Sequence, residues 1–159
     1  KRRVVATNFI EGFTLRQVAE PQADILTKIH EQCFPRYWNR QVFTDFFSVK
    51  DTLALLVEEE NQPIAMMVYR VTFEQADVLT VAVLPVWRRR GIARKLVEGM
   101  IEKCQQLGVK KIFLEVEVGN DSAIKLYENM GFTHISRRKL YYQQLDGSLT
   151  DALVMMKKL

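Results

Sequence analysis

Two stretches of the chain carry side chains whose types and spacing suit chemistry. From Arg88 to Lys95, five of eight residues are basic (Arg88, Arg89, Arg90, Arg94 and Lys95), and Gly91 and Ala93 are small. Small residues let an anion approach the main chain, while guanidinium groups supply charge-assisted hydrogen bonds to phosphate oxygens. The loop stands between an apolar segment ending at Leu84 and an amphipathic one that starts at Ile92, so the unpaired amides of a helix start would meet the same ligand. It has neither the GK[ST] ending of a Walker loop nor the GxGxxG fingerprint of a dinucleotide fold. A solvated basic turn is the plain alternative.

The second stretch is Leu114-Glu115-Val116-Glu117-Val118-Gly119-Asn120, followed by Ala123-Ile124-Lys125-Leu126-Tyr127. On a strand rising about 3.3 Å per residue, Glu115 and Glu117 share one face roughly 6 to 7 Å apart. Such a pair can hold a cation or take a proton, directly or through water. An exposed acidic pair on a half-solvated strand needs no chemistry at all, and Tyr127 equally suits a core aromatic with a tethered hydroxyl. His30 and His134 are single and unclustered, which suits the surface or helix packing and offers neither a triad nor a metal site.

These residues need a scaffold, and the hydrophobic pattern predicts one. Phe13 to Ala19 alternates as a strand, and Pro21 opens a helix with Ile25, Leu26, Ile29 and Cys33 on one side. Phe34-Pro35 ends it. Gln41 to Val49 is a shorter helix, Thr52 to Val57 and Ile64 to Phe73 form a hairpin, and Asp77 to Leu84 is a central strand covered on both faces. A long helix runs from Ile92 to Leu107 and stops at Gly108. Then come a two-faced strand around Ile112 to Val118, a helix capped by Asn120 or Asp121 and closed by Gly131, and a hairpin of Arg138 to Gln143 with Ala152 to Met156. The class is α/β (α+β): a mixed, mostly antiparallel sheet with helices on both faces. No linker or repeat divides residues 1–159, which read as a single domain with 1–12 as an N-terminal extension.

Composition bounds the function. The 159 residues are 48% hydrophobic and 26% charged, the proportions of one ordered domain. The net charge is +4, and the positive excess gathers at residues 88–95. That cluster is local and has only Trp87 interleaved, which argues against nucleic acid. Cys33 and Cys104 lack CxxC spacing and read as reduced, packed thiols. Lys1-Arg2-Arg3 precedes only Val4-Val5-Ala6, too short for a signal-peptide core, and no apolar run approaches about 18 residues. A cytoplasmic protein without a membrane segment is expected.

Taken together, the motifs resemble a known family. Arg88-Arg89-Arg90-Gly91-Ile92-Ala93 is similar to the (Q/R)xxGx(G/A) acetyl-CoA loop of the GNAT N-acetyltransferases, and Asn120 to Phe132 is similar to their NxxAxxLYxxxGF segment. The similarity spans roughly Asp77 to Leu159. Leu114-Glu115-Val116, Tyr141-Tyr142 and Asp151-Ala152-Leu153-Val154-Met155 further resemble the protein N-terminal acetyltransferases, in particular the bacterial ribosomal-protein-alanine branch. Gln143 departs from the proline frequent in those relatives, and the terminal hairpin is one residue longer.

The resemblance implies an acetyl-CoA-dependent transfer to the α-amino group of a protein N-terminus, a ribosomal protein among the candidates, by direct attack. It implies Glu115 as general base, Tyr127 as the general acid that reprotonates the CoA thiolate, and Asn120 as a cofactor contact. Main chain at Val81, Ala82 and Val83 would hold the pantetheine arm, and Arg88, Arg89, Arg90, Gly91, Ile92, Ala93 and Arg94 the pyrophosphate. Tyr141, Tyr142 and Glu117 would meet the acceptor peptide, and no metal is called for. Neutralising an α-amine at pH 7 costs about 1 to 1.4 kcal/mol against about 4.6 for lysine, so one glutamate matches the α-amine better. The alternatives are an acetyltransferase for a small-molecule amine and a catalytically inactive acyl-CoA-binding module.

Overall fold

A computed structural model describes residues 13–18, 22–144 and 146–159, so the expected N-terminal extension 1–12 lies outside the described residues. The elements are β1 (Phe13–Val18), α1 (Ala23–Cys33), α2 (Arg40–Ser48), β2 (Thr52–Glu59), β3 (Gln62–Thr72), β4 (Gln75–Val83), α3 (Ile92–Gln106), β5 (Lys111–Glu117), α4 (Asp121–Asn129), β6 (Thr133–Gln143) and β7 (Leu149–Lys158), with a short 3-10 turn at Pro85–Trp87. They form a seven-stranded sheet in the order β1-β2-β3-β4-β5-β7-β6. Among the described residues only β4 and β5 pair in parallel.

Alternation along the strands sorts the core into two layers. Leu55 and Val57 of β2 and Met67 and Tyr69 of β3 pack with Ile92, Leu96, Val97 and Met100 of α3 and Tyr127 of α4. Ala54, Leu56, Met66 and Val68 face the other way, against Leu26 and Ile29 of α1 and Phe43 of α2. The expected arrangement of helices on both faces therefore holds, each helix burying its apolar stripe.

The exceptions lie where tertiary pairing decides. β6 begins at Thr133, five residues before the expected Arg138, and β7 runs from Leu149 to Lys158 rather than over 152–156. Most of β6 is exposed, so its sequence shows no apolar alternation and its ladder with β7 makes it a strand. The central strand β4 also departs from expectation. Its Val78, Leu79 and Val81 are only half-buried, because β5 leaves it after three paired positions, Gln75–Lys111 to Asp77–Phe113.

Candidate active site

The parting of β4 and β5 makes the site. On its other edge β4 pairs with β3, and there Val68 faces Thr80 while Tyr69 faces Val78, which leaves Leu79 as an extra, bulged residue. A bulge bends its strand and increases local twist. Beyond it β4 turns away from β5, and a cavity of 330 Å³ opens between Val78–Val81 and Leu114–Glu117. Asn120, Tyr127 and Tyr142 line it from the α4 and β6 sides, and His30 of α1 with Phe34 and Trp38 of the α1–α2 connection from the other. A second cavity of 510 Å³ adjoins it, sharing Val78, Leu79, Glu115, Trp38 and Tyr142 and adding Asp77, Arg138 and Tyr141.

The strand period delivers the two carboxylates as expected. Ile112, Leu114 and Val116 are buried under the helices α3 and α4, while Glu115 and Glu117 project to the opposite face. Their surroundings differ. Glu115 Oε1 accepts a 2.7 Å hydrogen bond from Arg138 and remains partly open to the cavity, its side chain 29% exposed. Glu117 Oε1 accepts from Thr150 Oγ1 at 2.8 Å and from the Gln144 amide, so it ties the β6–β7 hairpin to β5. Both carboxylates line the cavity, one held by Arg138 and the other by Thr150 and Gln144.

Tyr127 is the buried residue of α4, 8% exposed, with its ring edge-on to Phe132 at 5.8 Å. Burial pushes its phenol up to about 12, so it is protonated throughout the neutral range. Asn120 caps α4: its side chain accepts from the Ala123 amide at 3.3 Å, which leaves only part of its hydrogen-bonding capacity for a ligand.

The tyrosine pair depends on a second irregularity. Arg138 faces Ala152 and Tyr142 faces Thr150, so residues 139–141 stand opposite Asp151 alone. Asp151 holds this bulge by accepting from the Leu140 amide at 2.8 Å and from Arg137 Nε at 2.5 Å, and these donors hold its carboxyl below the usual carboxylate range. Consecutive residues of a regular strand point to opposite faces. The bulge instead brings Tyr141 and Tyr142 together, rings 5.1 Å apart, on the cavity side. Tyr142 reaches inward, where burial and then the nearby Glu115 charge push its phenol up to about 12. Tyr141 stays half-exposed, with the Arg138 guanidinium 3.9 Å above its ring.

The basic loop lies at the far end of β4. Arg89 at φ 63° and Gly91 at φ 76° turn the chain tightly into α3, whose first helical bond is Lys95 N–H to Gly91 O. A Cβ at Gly91 would meet nothing within 4 Å, so open space lies before the helix start. This fits a diphosphate well, with free amides and guanidinium groups around an open main chain. The arginines are not equivalent. Arg88 Nε donates to the Val83 carbonyl at 3.0 Å, which fixes the loop on β4 and uses up part of the main chain expected for a pantetheine arm. Arg90 stacks 4.7 Å over Trp87, and Arg94 pairs with Glu98 at 3.1 Å. Val81 lines the cavity, while Ala82 is buried against the α1–α2 layer.

His30 and Arg138 were not evident as site residues from sequence. His30 does pack between helices as expected, but its ring also lines the cavity. The available signal was three aromatics, Phe34, Trp38 and Phe43, within thirteen residues of it. Among the described residues no group of three or more histidine, cysteine or acidic side chains is placed to hold a metal ion, and no helix is long and apolar enough to cross a membrane.

A mixed sheet parted at its one parallel pair, with a basic loop at the end of the parting strand and a carboxylate and buried phenol in the gap, defines a class of acyl-transfer proteins. Residues 23–132 match the Acetyltransferase (GNAT) family, and the chain belongs to it. It is an N-acetyltransferase. The [Ribosomal protein bS18]-alanine N-acetyltransferase of Haemophilus ducreyi is 35% identical over 103 residues, which cover 65% of this chain and 71% of that protein. N-alpha-acetyltransferase 50 of Danio rerio is 29% identical over 139 residues, 84% of this chain and 81% of that protein. The crystal structure of the ribosomal-protein-alanine N-acetyltransferase from Escherichia coli has a TM-score of 0.85 at 26% identity, over 92% of this chain and 93% of that one.

Proposed function

We propose that this cytoplasmic, single-domain enzyme acetylates the α-amino group of a protein N-terminus with acetyl-CoA, an N-terminal alanine of a ribosomal protein being the acceptor its relatives suggest. The observation that carries the reading is that Glu115, Tyr127 and Tyr142 line one cavity at the parting of β4 and β5. Acetyl-CoA supplies a thioester carbonyl. The basic loop binds its diphosphate through the open amides after Arg89, with Arg89 and Arg90 as countercharges, and the unpaired edge of β4 at Val81 lies beside the pantetheine arm. The α-amine reaches the cavity from the side of Trp38, Tyr141 and Tyr142. Glu115 takes its proton, directly or through water, and Tyr127 holds a proton at its hydroxyl for the departing sulfur. Glu117 contributes to acceptor binding through the hairpin it holds.

The choice of α-amine follows from proton cost, since the neutral form of an α-amine is within about 1 to 1.4 kcal/mol at pH 7. The two thiols are free, as a reducing compartment requires. The test is CoA release with a panel of short peptides varied at the first residue, beside N-terminally blocked lysine peptides and polyamines. Turnover confined to free peptide N-termini is expected. Faster turnover of polyamines or of the blocked lysine peptides would overturn the assignment.

A further inference from the structure

The connection between α1 and α2, residues 34–39, has no ladder of its own to fix its shape, yet Phe34, Pro35, Arg36 and Trp38 form one wall of the cavity. Its fixed points are few. Asn39 caps α2 by accepting from the Val42 amide at 3.2 Å, and the Phe34 amide closes α1 on the His30 carbonyl at 3.0 Å. Between them the tie is a side chain: the Trp38 amide donates to His30 Nδ1 at 2.9 Å. The same imidazole is stacked between Phe34, 4.3 Å away, and Trp38, 4.7 Å away, with Phe43 edge-on at 5.6 Å. His30 is 3% exposed.

We propose that His30 is a positioning residue for the acceptor: it holds the Trp38 main chain and ring so that the 34–39 connection keeps the shape that receives the incoming amine. The inference rests on the reading that the amine enters on this side of the cavity. A neutral imidazole is required, since Nδ1 accepts a hydrogen bond and a protonated ring has no acceptor. Burial supports this by lowering the imidazole to about 4, which keeps it neutral at physiological pH. Nδ1 being occupied also makes His30 a poor proton carrier. Its action is on the wall of the site and not on the reacting atoms. The wall and the diphosphate loop meet at the Val83 carbonyl, which accepts from Cys33 Sγ at 3.3 Å and from Arg88 Nε at 3.0 Å, so the KM for acetyl-CoA is measured beside that for the acceptor.

Two substitutions separate the hydrogen bond from the stacking. His30→Phe keeps an aromatic ring but removes the acceptor. His30→Asn gives up the stack but places an amide oxygen near the position of Nδ1. Initial rates are measured with whichever amine of the panel the wild-type enzyme turns over best, so the acceptor class and the role of His30 are read separately. In His30→Phe the acceptor KM is expected to rise about tenfold, with kcat and the KM for acetyl-CoA within about twofold of wild type; His30→Asn is expected to stay within about threefold for all three. An unchanged acceptor KM in His30→Phe would overturn the proposal, as would an equal rise in the KM for acetyl-CoA. Should His30→Phe fail to fold, His30→Leu, which also lacks the acceptor, takes its place: a tenfold rise in the acceptor KM supports the proposal and an unchanged one overturns it.

Discussion

Arg138 on β6 reaches across the intervening strand β7 to hydrogen-bond Glu115 on β5, with 2.7 Å between its guanidinium and the carboxylate oxygen. The arginine thereby fixes one oxygen of the carboxylate while its guanidinium carbon stands 3.9 Å over the Tyr141 ring. The edge strand therefore sets the orientation of the group proposed as base. Glu115→Gln is expected to lower kcat by about 10² to 10⁴, the usual size of a general-base contribution. The loss should be greatest at low pH, where an amine with a pKa near 7.7 to 8.0 is mostly protonated. Arg138→Ala alone should lower kcat less, and adding it to Glu115→Gln should cost nothing further, because both act through one carboxylate. Rates measured across pH for both single variants and the double variant check this; additive losses would separate the two residues.

Tyr127→Phe keeps the ring that packs on Phe132 and removes the hydroxyl. A fall in kcat of tens to hundreds of fold is expected, with the KM for acetyl-CoA unchanged. The pH dependence of stability has a definite sign. The native phenol is raised from 10.0 to about 12, so the native state is destabilised relative to the unfolded chain as pH rises from 10 toward 12, and the full contribution is present below pH 10. Alkaline melting curves of wild type and Tyr127→Phe should diverge in that window and coincide at pH 8.

His30 gives the opposite window. Its native imidazole is lowered from 6.5 to about 4, so stability is complete above pH 6.5 and is lost as pH falls toward 4. The loss at the acid end is on the order of a few kcal/mol from this group, since one pKa unit corresponds to about 1.4 kcal/mol. Denaturant midpoints between pH 7 and pH 4 should fall less steeply for His30→Asn than for wild type. Parallel slopes would assign the acid loss to other groups.

Replacing Arg88 and Arg90 together with alanine should raise the KM for acetyl-CoA about ten- to a hundredfold while the acceptor KM changes little. Arg88 also anchors the loop to the Val83 carbonyl. Its single replacement should therefore lower the melting temperature more than that of Arg90, whose partner is the exposed face of Trp87. Titration of the apo variants with CoA, followed by calorimetry, measures the binding part; an unaltered affinity would refute the assignment of this loop.

Much of this protein is determined by local sequence. Alternation in Ile112 to Val118 set Glu115 and Glu117 on one face of β5, and the periodicity from Ile92 to Leu107 set the length of α3. The basic turn before Ile92 and the segment from Asn120 to Phe132 placed the loop and the buried phenol. Each of these rests on a period or a cap that a few neighbouring residues define. What they could not define is every relationship that crosses strands. The extra residue at Leu79 parts β4 from β5, and it is visible only in the register between Val68–Tyr69 and Thr80–Val78. The bulge opposite Asp151 turns Tyr141 and Tyr142 to one side, and the ladder with β7 makes a strand of the polar residues from Thr133 to Arg138. Glu115 and Glu117 look alike in sequence and both line the cavity, and only the neighbours brought from β6 and β7 gave one to Arg138 and tied the other to the hairpin. Side-chain direction is local geometry, whereas register and long-range partners are settled by which strands pack together.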